Sequence, residues 1–339
     1  MSSSQLKVCA NRMQNQASLN YAEVKPKLNN VVVTAHSFKN MKKLKGILLI
    51  VVLFFACDFA VERVMKHGVD EMYGLNQYAD VLLVGHSHLM LATDKQQMEH
   101  DLGMKVSKYT REGVNVSDRR MMIQQFLDSG YGDSLKLVLY GVDLCTFTGE
   151  GLSANSYKLF YPFIDDAKIG GYIREQGGAQ DYWLHKLVRT TRYSDDGMKN
   201  GAARGWLHNW GNMKSGTIDI EAYKQLLANG DERHIQMNSE LMEEFCATVD
   251  MLTSRGIKVA LVNTPTLDLV NAFEPDKYQM MVDWFQQYAD SNALVEYWDF
   301  NPEYSHRHEL FYDRIHLNVQ GQQVISPLIT EKIEEVFEQ

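Results

Sequence analysis

The residues best suited to chemistry form a short turn near residue 86. Val81–Val84 form a strand-like apolar run, and Gly85 is then followed by His86, Ser87 and His88 in succession. Two histidines favour a metal site, whereas a serine at the tip of a strand favours a nucleophile. The two hypotheses predict different enzymes, and they require different partner residues elsewhere in the chain.

The metal hypothesis requires many more ligands, because a two-metal centre needs several carboxylate and imidazole groups. The Gly-His-Ser-His segment resembles the closing motif of calcineurin-like metallophosphoesterases, whose earlier D-x-H, G-D and G-N-H segments supply the other ligands. Here those segments would have to precede residue 85. The histidines there are His36 and His67, and neither D-x-H nor G-N-H occurs. We therefore expect no metal and no other cofactor.

The nucleophile hypothesis requires a base for Ser87, because a serine hydroxyl reacts well only when a general base accepts its proton. Asp313 and His316 lie near the C-terminus with two residues between them. One short loop can present both, so that the carboxylate holds one ring nitrogen and the other nitrogen faces the serine. The sequence therefore predicts that Ser87 attacks, His316 transfers the proton and Asp313 orients the imidazole.

The elements that must position these residues alternate between strands and helices. Strands are predicted at about 79–84, 104–109, 135–143, 257–263 and 293–300, and helices at about 88–101, 117–128, 237–254, 275–289 and after 317. This alternation favours a parallel sheet covered on both faces, with ligands bound outside the carboxyl ends of the strands. We therefore predict a three-layer α/β/α, flavodoxin-like fold with about five parallel strands.

Over about 79–145 and 237–335 the chain resembles the SGNH (GDSL-type) serine hydrolases. Their first block is an apolar strand followed by Gly-x-Ser, which is similar to the segment ending at Ser87. Their last block is Asp-x-x-His, which is similar to Asp313 through His316. The resemblance implies a flavodoxin-like fold and an ester hydrolase or O-acyltransferase with a Ser-His-Asp mechanism.

The middle blocks of the superfamily are matched less well. Its oxyanion donors are a Gly after the second strand and an Asn after the third; here the candidates are Gly113, with Asn115 nearby, and Asp143 stands in the place of the Asn. An ionised Asp cannot donate a hydrogen bond, so either Asn115 and the Ser87 amide compensate, Asp143 is structural, or catalysis is weakened. If it is weakened, Asp143→Asn is expected to raise turnover. His86 is expected to form local hydrogen bonds, and His88 to line the pocket.

A basic and then apolar segment precedes the α/β body. Residues 41–66 begin with three lysines and contain an apolar run from Gly46 to Cys57, which is typical of a signal anchor. The basic flank predicts a single-pass anchor with residues 67–339 on the periplasmic side of the cell membrane. A buried core helix and a lipoprotein at Cys57 are the alternatives. Residues 1–40 are polar and unpatterned, and we interpret them as an unstructured or mis-annotated extension.

A stretch rich in glycine and aromatic residues interrupts the α/β rhythm at about 148–235. We predict that it is an insertion lying over the mouth of the sheet. Its aromatic residues include Tyr182, Trp183, Trp206 and Trp210. Such rings stack on sugars, but they also form the small core that an insertion needs, and both interpretations remain open.

The charge distribution argues against nucleic acid as a partner. The net charge is −9, and residues 1–45 hold eight basic residues against one acid, about +7, which leaves about −16 for the remainder. An acidic body does not attract a polyanion. The four cysteines lack the spacing of a zinc cluster and do not suggest a disulfide framework.

The resemblance and the anchor together imply a function at the cell envelope. Divergent anchored members of the superfamily work with membrane-bound O-acyltransferases, which implies an esterase or O-acyltransferase acting on acyl, foremost acetyl, esters of envelope or extracellular carbohydrate. The alternative is a non-catalytic SGNH-like module that binds a glycan or a protein partner. Asp143 and the unmatched second block favour this alternative, whereas the complete set of Ser87, Asp313 and His316 argues against it.

Overall fold

The computed structural model describes residues 35–148, 155–230 and 232–338, and these contain a five-stranded sheet in which every pair of neighbouring strands is parallel. The sheet order is β2-β1-β3-β4-β5. The strands are β1 Val81–Gly85, β2 Val106–Thr110, β3 Leu137–Val142, β4 Lys258–Asn263 and β5 Val295–Asp299. The predicted α/β architecture with five parallel strands is confirmed.

Helices account for most of the other described residues. They are α1 Ala35–Tyr73, α2 Ser87–Ala92, α3 Lys95–Leu102, α4 Val116–Asp128, α5 Ala167–Leu187, α6 Asp196–Trp206, α7 Ile220–Ala228, α8 Ser239–Thr253, α9 Asp268–Asn271, α10 Pro275–Asp290, α11 Asn301–Tyr304 and α12 Val319–Glu338. Short 3₁₀ segments lie at 132–134, 156–163, 189–193 and 308–310.

The order of the strands creates a switch point between β1 and β3. The chain moves from β1 outward to β2, then passes back across β1 to β3 and continues to β4 and β5. Right-handed crossovers then place helices on opposite faces of the sheet. Accordingly, α12 packs with α2 and α3, whereas α4 packs with α8. Ligand sites of such sheets lie at the switch point, outside the carboxyl ends of the strands.

The single helix predicted at 88–101 is wrong in one respect, because the structure divides it into α2 and α3. Thr93 has extended backbone, and its hydroxyl donates to Leu89 O at 2.7 Å. Asp94 then caps α3 by accepting the N–H groups of Gln96 and Gln97. Polar side chains that bind nearby backbone compete with helix continuation, and here they end one helix and begin the next.

Helix α1 is longer than the predicted anchor at 41–66. Of the described residues, Lys43–Tyr73 is the helical stretch long and apolar enough to cross a bilayer, judged by length and composition. The chain divides into two units at Phe54, and the second unit contains the sheet. The proposed extension 1–40 lies outside the described residues up to 34, and α1 begins at Ala35.

The second half of α1, from Asp58 onward, belongs to the folded body. The buried Asp58 carboxylate accepts the N–H groups of Arg189 and Thr190 at 2.8 and 2.7 Å. Further along, α1 and α6 cross closely at two glycines, since a Cβ on Gly205 would lie 1.7 Å from Gly68 O. Asp58, the acid that interrupts the apolar run, therefore has a structural role, because it binds the backbone of the 189–193 segment.

The segment predicted as an insertion contains α5, α6 and α7. Its contacts reach the carboxyl side of the sheet: Asp195 pairs with Arg111, the residue after β2, at 2.7 Å. Near the C-terminal motif, Ile218 N–H donates to Phe311 O at 3.0 Å. Its aromatic residues divide into two groups. Tyr182 and Trp210 pack against the core, whereas Trp183 and Trp206 are half exposed.

Candidate active site

Ser87 is the first residue of α2 and lies at the carboxyl edge of the sheet, directly after His86. The His86 backbone is extended, and its ring Nδ1 caps α2 by accepting the N–H of His88 at 3.1 Å. Helix α2 approaches β3 closely because Gly141 has no side chain; a Cβ there would lie 3.0 Å from Leu89 Cβ. The local sequence thus fixes the serine beside the switch point.

Asp313 and His316 share a short loop before α12. Asp313 Oδ1 accepts the N–H groups of Ile315 and His316, each at 3.0 Å. Asp313 Oδ2 lies 2.8 Å from His316 Nδ1. The N–H of Tyr312 donates to His316 O at 2.8 Å and closes the loop. One carboxylate therefore shapes the loop and also holds the imidazole.

Ser87 Oγ lies 2.7 Å from His316 Nε2, although the two residues are 229 positions apart. His316 Nδ1–H donates to Asp313, so Nε2 keeps the lone pair that can accept the serine proton. The three residues predicted as nucleophile, base and orienting carboxylate are thus brought together in one hydrogen-bonded chain. A serine, a base within hydrogen-bond reach and a third group that orients the base are the parts of an activated nucleophile.

The Asp313 carboxylate is suited to holding a histidine. Burial raises the pKa of Asp313, but hydrogen bonds from the His316 ring and from the backbone of Ile315 and His316 outweigh this and lower the pKa overall. The carboxyl group is therefore ionised at neutral pH. The His316 side chain is 19% exposed and that of Asp313 42% exposed, so the base can be reached from solvent.

Asp143, directly after β3, faces the two histidines that flank the serine. Its Oδ2 lies 2.9 Å from His86 Nε2 and 3.3 Å from His88 Nδ1. Its Oδ1 accepts the N–H of Cys145 at 2.9 Å and the hydroxyl of Thr146 at 3.1 Å. Both carboxylate oxygens of Asp143 therefore have neighbours within the protein. The side chain contacts the two histidines and does not face an open oxyanion site.

His86, His88 and Asp143 form one buried group, which we call the buried cluster. Each is less than a tenth exposed, and the His88 ring lies edge-on to the His316 ring with 5.4 Å between centroids. The sequence predicted Asp143 at the oxyanion position, His88 lining the pocket and local hydrogen bonds for His86. The structure places them beside the Ser87–His316 pair, but their polar contacts are with one another.

The electrostatics of the buried cluster favour two neutral histidines around an ionised carboxylate. Burial lowers the pKa of His86 and lowers the pKa of His88 well below its ordinary value, and the nearby carboxylate offsets this only in part. Burial alone would raise the pKa of Asp143, but the two histidines and Arg119 hold it below its usual range. The cluster is therefore an ionised carboxylate beside two neutral imidazole rings.

The three side chains have the identities of metal ligands, and their donor atoms lie within 4.8 Å of one another. The hydrogen bonding of His86 does not fit a metal. His86 Nδ1 accepts a backbone N–H, so the proton of the neutral ring resides on Nε2, the nitrogen that faces Asp143. A metal-bound imidazole usually has the opposite arrangement, with the second nitrogen donating to an acceptor.

Gly113 and Asn115, the other predicted oxyanion residues, lie in the loop after β2. Arg111 N–H donates to Gly85 O at 3.1 Å, which holds this loop next to the turn that carries the serine. Gly113 has a positive φ of 77°. Asn115 caps α4 in a capping box with Asp118, so its Oδ1 is used by the helix. Their role in oxyanion binding stays a prediction.

Sequence reasoning missed Arg119, which is 1% exposed. Its guanidinium donates to Gly141 O at 2.7 Å and to Val114 O at 3.3 Å, and it lies 5.3 Å from the centroid of the Tyr140 ring. It links the loop after β2 to the end of β3 and contributes positive charge near Asp143. The segment "SDRRMM" gives no signal that one of its two arginines points into the core.

Two cavities differ in their relation to the residues predicted to be catalytic. A groove of about 410 Å³ adjoins Asp313 and lies between its loop and α7. A larger cavity of about 540 Å³ is lined by residues of α1, α4 and the 162–169 segment, and no predicted site residue lines it. Ser87 and His316 line neither cavity, so Asp313 is the residue that connects the smaller groove with the candidate site.

No family model matches this chain, and no curated protein sequence matches it either. Solved structures do resemble it. One, from Bacteroides fragilis, is described as a candidate acylhydrolase; it shares 10% identity, 79% of this chain and 94% of that chain are covered, and the TM-score is 0.42. Another, from Streptococcus pneumoniae, is described as a candidate platelet activating factor, with 9% identity, coverage of 85% and 98%, and a TM-score of 0.39.

A third similar structure is the C-terminal catalytic domain of peptidoglycan O-acetyltransferase A from Streptococcus pneumoniae, which carries a methylsulfonyl adduct. It shares 10% identity, covers 78% of this chain and 97% of its own, and has a TM-score of 0.36. These similarities are low. The fold described above therefore rests on the strands of this chain, and its chemistry on its own site.

Proposed function

We propose that this chain is a divergent SGNH-type enzyme that acts on acyl esters through Ser87, as an esterase or an O-acyltransferase. The observation that carries the proposal is the continuous chain of contacts from Ser87 Oγ to His316 Nε2 at 2.7 Å and from His316 Nδ1 to Asp313 at 2.8 Å. Its position at the carboxyl edge of the sheet, beside the switch point, is where such folds bind ligands.

The reaction proceeds in two halves. Ser87 Oγ attacks the carbonyl carbon of the ester while His316 Nε2 takes the hydroxyl proton. The tetrahedral intermediate then collapses, the C–O bond to the leaving group breaks, and His316 returns its proton to the departing alkoxide. The acyl group is now bound to Ser87. A water molecule or an acceptor hydroxyl, deprotonated by His316, then attacks the acyl carbon. The bond from that carbon to Ser87 Oγ breaks, and His316 returns the proton to Ser87.

The developing oxyanion needs hydrogen-bond donors. We assign this role to the main-chain N–H of Ser87, at the beginning of α2, and to the loop that carries Gly113 and Asn115. Asp143 has a different role in this proposal. Its carboxylate holds the rings of His86 and His88, so its negative charge is directed at ring nitrogens and not at the substrate oxygen.

We further propose that the substrate is an acyl ester, foremost an acetyl ester, of envelope or extracellular carbohydrate. The groove of about 410 Å³ between α7 and the Asp313 loop is large enough for a sugar ring. Helix α1 would anchor the chain in the cell membrane with the body on the periplasmic side, since three lysines precede the apolar stretch. A membrane-bound O-acyltransferase would then be a natural source of acyl groups.

One observation favours a second candidate, a non-catalytic SGNH-like module that binds a glycan or a protein partner. Asp143 stands where the superfamily has an oxyanion-donating Asn, and a carboxylate cannot take over that donation. Such a module would keep the fold and the groove but would not have an activated serine.

A fluorophosphonate probe distinguishes the two candidates, because it labels an activated serine and not merely an exposed one. The full chain in detergent should be labelled at Ser87, as located by peptide mass spectrometry. His316→Ala should abolish labelling, and Asp313→Asn should slow it by about 10⁴-fold, by analogy with loss of the orienting carboxylate in a serine triad. Absence of labelling in the wild type at every pH between about 6 and 9 would favour the binding module.

A further inference from the structure

The insertion carries large apolar side chains that its own fold leaves exposed. Trp183 and Leu187 of α5 are 52% and 62% exposed, and Trp206 at the end of α6 and the adjacent Leu207 are 50% and 75% exposed. A monomeric soluble protein rarely exposes large contiguous apolar patches without a use for them. Exposure of these four residues therefore indicates a surface that binds a partner.

Each group of exposed residues is next to a residue that contacts the same short part of α1, or contacts it directly. On one side, Asp58 binds the N–H of Arg189, two residues after Leu187, and the Arg189 guanidinium lies 4.9 Å from the centroid of the Phe59 ring. On the other side, Trp206 Nε1 donates to Val64 O at 2.9 Å. Phe59 and Val64 are themselves about half exposed.

We call Phe59, Val64, Trp183, Leu187, Trp206 and Leu207 the apolar collar. It includes the part of α1 that directly follows the apolar run Gly46–Cys57 along the chain. Tryptophan is enriched where a protein meets the boundary between bilayer and water, because its ring is apolar and its N–H is polar. Trp206 uses its N–H within the protein, so the exposed part of its side chain is the apolar ring.

Cations accompany the collar. The guanidinium groups of Arg63 and Arg189 lie 5.5 and 4.9 Å from the centroid of the Phe59 ring. Among the described residues, neither side chain has a carboxylate within ion-pair distance, whereas Lys186, three residues before Arg189, pairs with Asp165. Arginines at a membrane surface attract anionic headgroups, and apolar side chains beside them insert below the headgroups.

We propose that the apolar collar docks the insertion onto the lipid bilayer, with its apolar rings in the interfacial layer and Arg63 and Arg189 at the phosphate groups. The inference rests on the proposed membrane anchor but not on the proposed ester chemistry. It gives the insertion a task that differs from covering the sheet or stacking on sugars. Helix α1 fixes the chain to the membrane, and the collar sets the orientation of the body upon it.

Tryptophan fluorescence tests this docking in the full chain. The chain has five tryptophans, of which Trp183 and Trp206 belong to the collar and Trp284 packs among Phe147, Phe245 and Phe285. The protein is reconstituted in vesicles of phosphatidylcholine and phosphatidylglycerol with brominated acyl chains, which quench only rings that enter the bilayer. Flotation of the vesicles reports the anchor separately.

The wild-type chain should be quenched by the brominated lipid, and the double variant W183F/W206F should lose more than half of that quenching. The matched core variant W284F should retain it, and all variants should float with the vesicles. If the chain floats but quenching is the same in W183F/W206F as in the wild type, the anchor stands and the collar proposal is overturned.

Quenching of tryptophan fluorescence by acrylamide, which stays in the water, distinguishes lipid from other occupants of this surface. Docking on lipid predicts that Trp183 and Trp206 are protected from acrylamide and sensitive to brominated lipid. Sensitivity to acrylamide alone shows that the surface faces water, and protection from both quenchers shows that a second copy of the chain covers it. Either outcome overturns the proposal. A chain that fails to float removes the anchor and the docking together, whereas labelling of Ser87 reports the proposed chemistry independently.

Discussion

Two assemblies of histidine and aspartate lie next to Ser87, and they differ in exposure and in hydrogen bonding. In the triad, the side chains of Asp313 and His316 are 42% and 19% exposed. In the buried cluster, those of Asp143 and His86 are 6% and 9% exposed. The residue types are the same, so the surroundings must decide which assembly performs proton transfer.

The decisive difference is which ring nitrogen remains available. His316 has Nδ1 at Asp313 and Nε2 at the serine hydroxyl. His86 has Nδ1 at a backbone N–H and Nε2 at Asp143, so neither nitrogen can receive a proton from a substrate. A histidine next to a nucleophile in sequence is therefore a poorer base than one delivered from a distant loop.

The largest effect should come from removing the base of the triad. His316→Ala should lower kcat for an aryl acetate by about 10⁶-fold, as when the histidine of a serine triad is removed. His88→Gln should have a much smaller effect, because it leaves the Ser87–His316 contact in place. Initial rates with purified variants measure both, with the exposed His100→Ala as a matched control. A larger loss in His88→Gln than in His316→Ala would reverse the assignment of the two assemblies.

The next effect distinguishes the two carboxylates. Asp143→Asn keeps one oxygen for the N–H of Cys145 and the hydroxyl of Thr146, but it turns an amide NH₂ toward the rings of His86 and His88. Loss of charged hydrogen-bond partners typically costs about 1.5–3 kcal/mol. We therefore expect a comparable fall in the free energy of unfolding, measured by urea denaturation, and a lower turnover.

This expectation differs from the one based on sequence, in which Asp143→Asn supplies a missing oxyanion donor and raises turnover. The contacts of Asp143 provide the reason, since both of its oxygens already have neighbours in the protein. An increase in turnover with unchanged stability would restore the sequence-based interpretation and place the Asp143 side chain at the substrate.

A smaller effect concerns the pH dependence of stability. Burial lowers the pKa of His88 well below its ordinary value, so below about pH 6.5 the unfolded chain binds a proton that the folded chain does not. Stability contributed by the neutral ring is then lost as pH falls, by at most about 1.4 kcal/mol per pH unit. The groups facing His88 are His86, Asp143, His316 and Asp313.

Urea denaturation at pH 7, 6 and 5 should show this loss in the wild type and a smaller slope in His88→Gln. The slope should not vanish, because burial lowers the pKa of His86 as well. His100→Gln, whose side chain is 83% exposed, should retain the wild-type slope. Equal slopes in His88→Gln and wild type would show that the His88 ring is already protonated or is not buried.

Chelation of metal ions should have the smallest effect on activity. Because His86 Nε2 carries the ring proton in this arrangement, the buried cluster should hold no metal that catalysis needs, and EDTA should leave hydrolysis of an aryl acetate unchanged. Recovery of lost activity on adding zinc or manganese would mean that the cluster is a metal centre, and the contrast between the two assemblies would have to be drawn again.

The triad was predictable because each half depends on short-range spacing. Ser87 follows a strand directly, Asp313 and His316 lie one turn apart, and parallel strands bring their carboxyl ends to one edge. The buried cluster was not predictable, because Asp143 meets His86 only through the pairing of β1 with β3. The family resemblance implied that Asp143 lies at the oxyanion position, whereas in the structure its neighbours are His86 and His88.

The fold shows the same division between local and long-range information. The strands followed from apolar runs that are buried on both faces of a parallel sheet. The break between α2 and α3 could not be predicted in this way, because a continuous helix fits the same apolar pattern. The break depends on hydrogen bonds from the side chains of Thr93 and Asp94 to the backbone. Burial of Asp58 was likewise hidden, since its partners lie more than 130 residues further along the chain.

The sequence distance between nucleophile and base has a consequence for biosynthesis. Ser87 follows the first strand and His316 precedes the last helix, 229 positions later. Chains are made from the N-terminus, and domains fold as their parts become available. A nascent or truncated chain that ends before the Asp313–His316 loop has the serine without its proposed base. In the proposed mechanism, the serine therefore becomes reactive only after that loop has been translated and has docked.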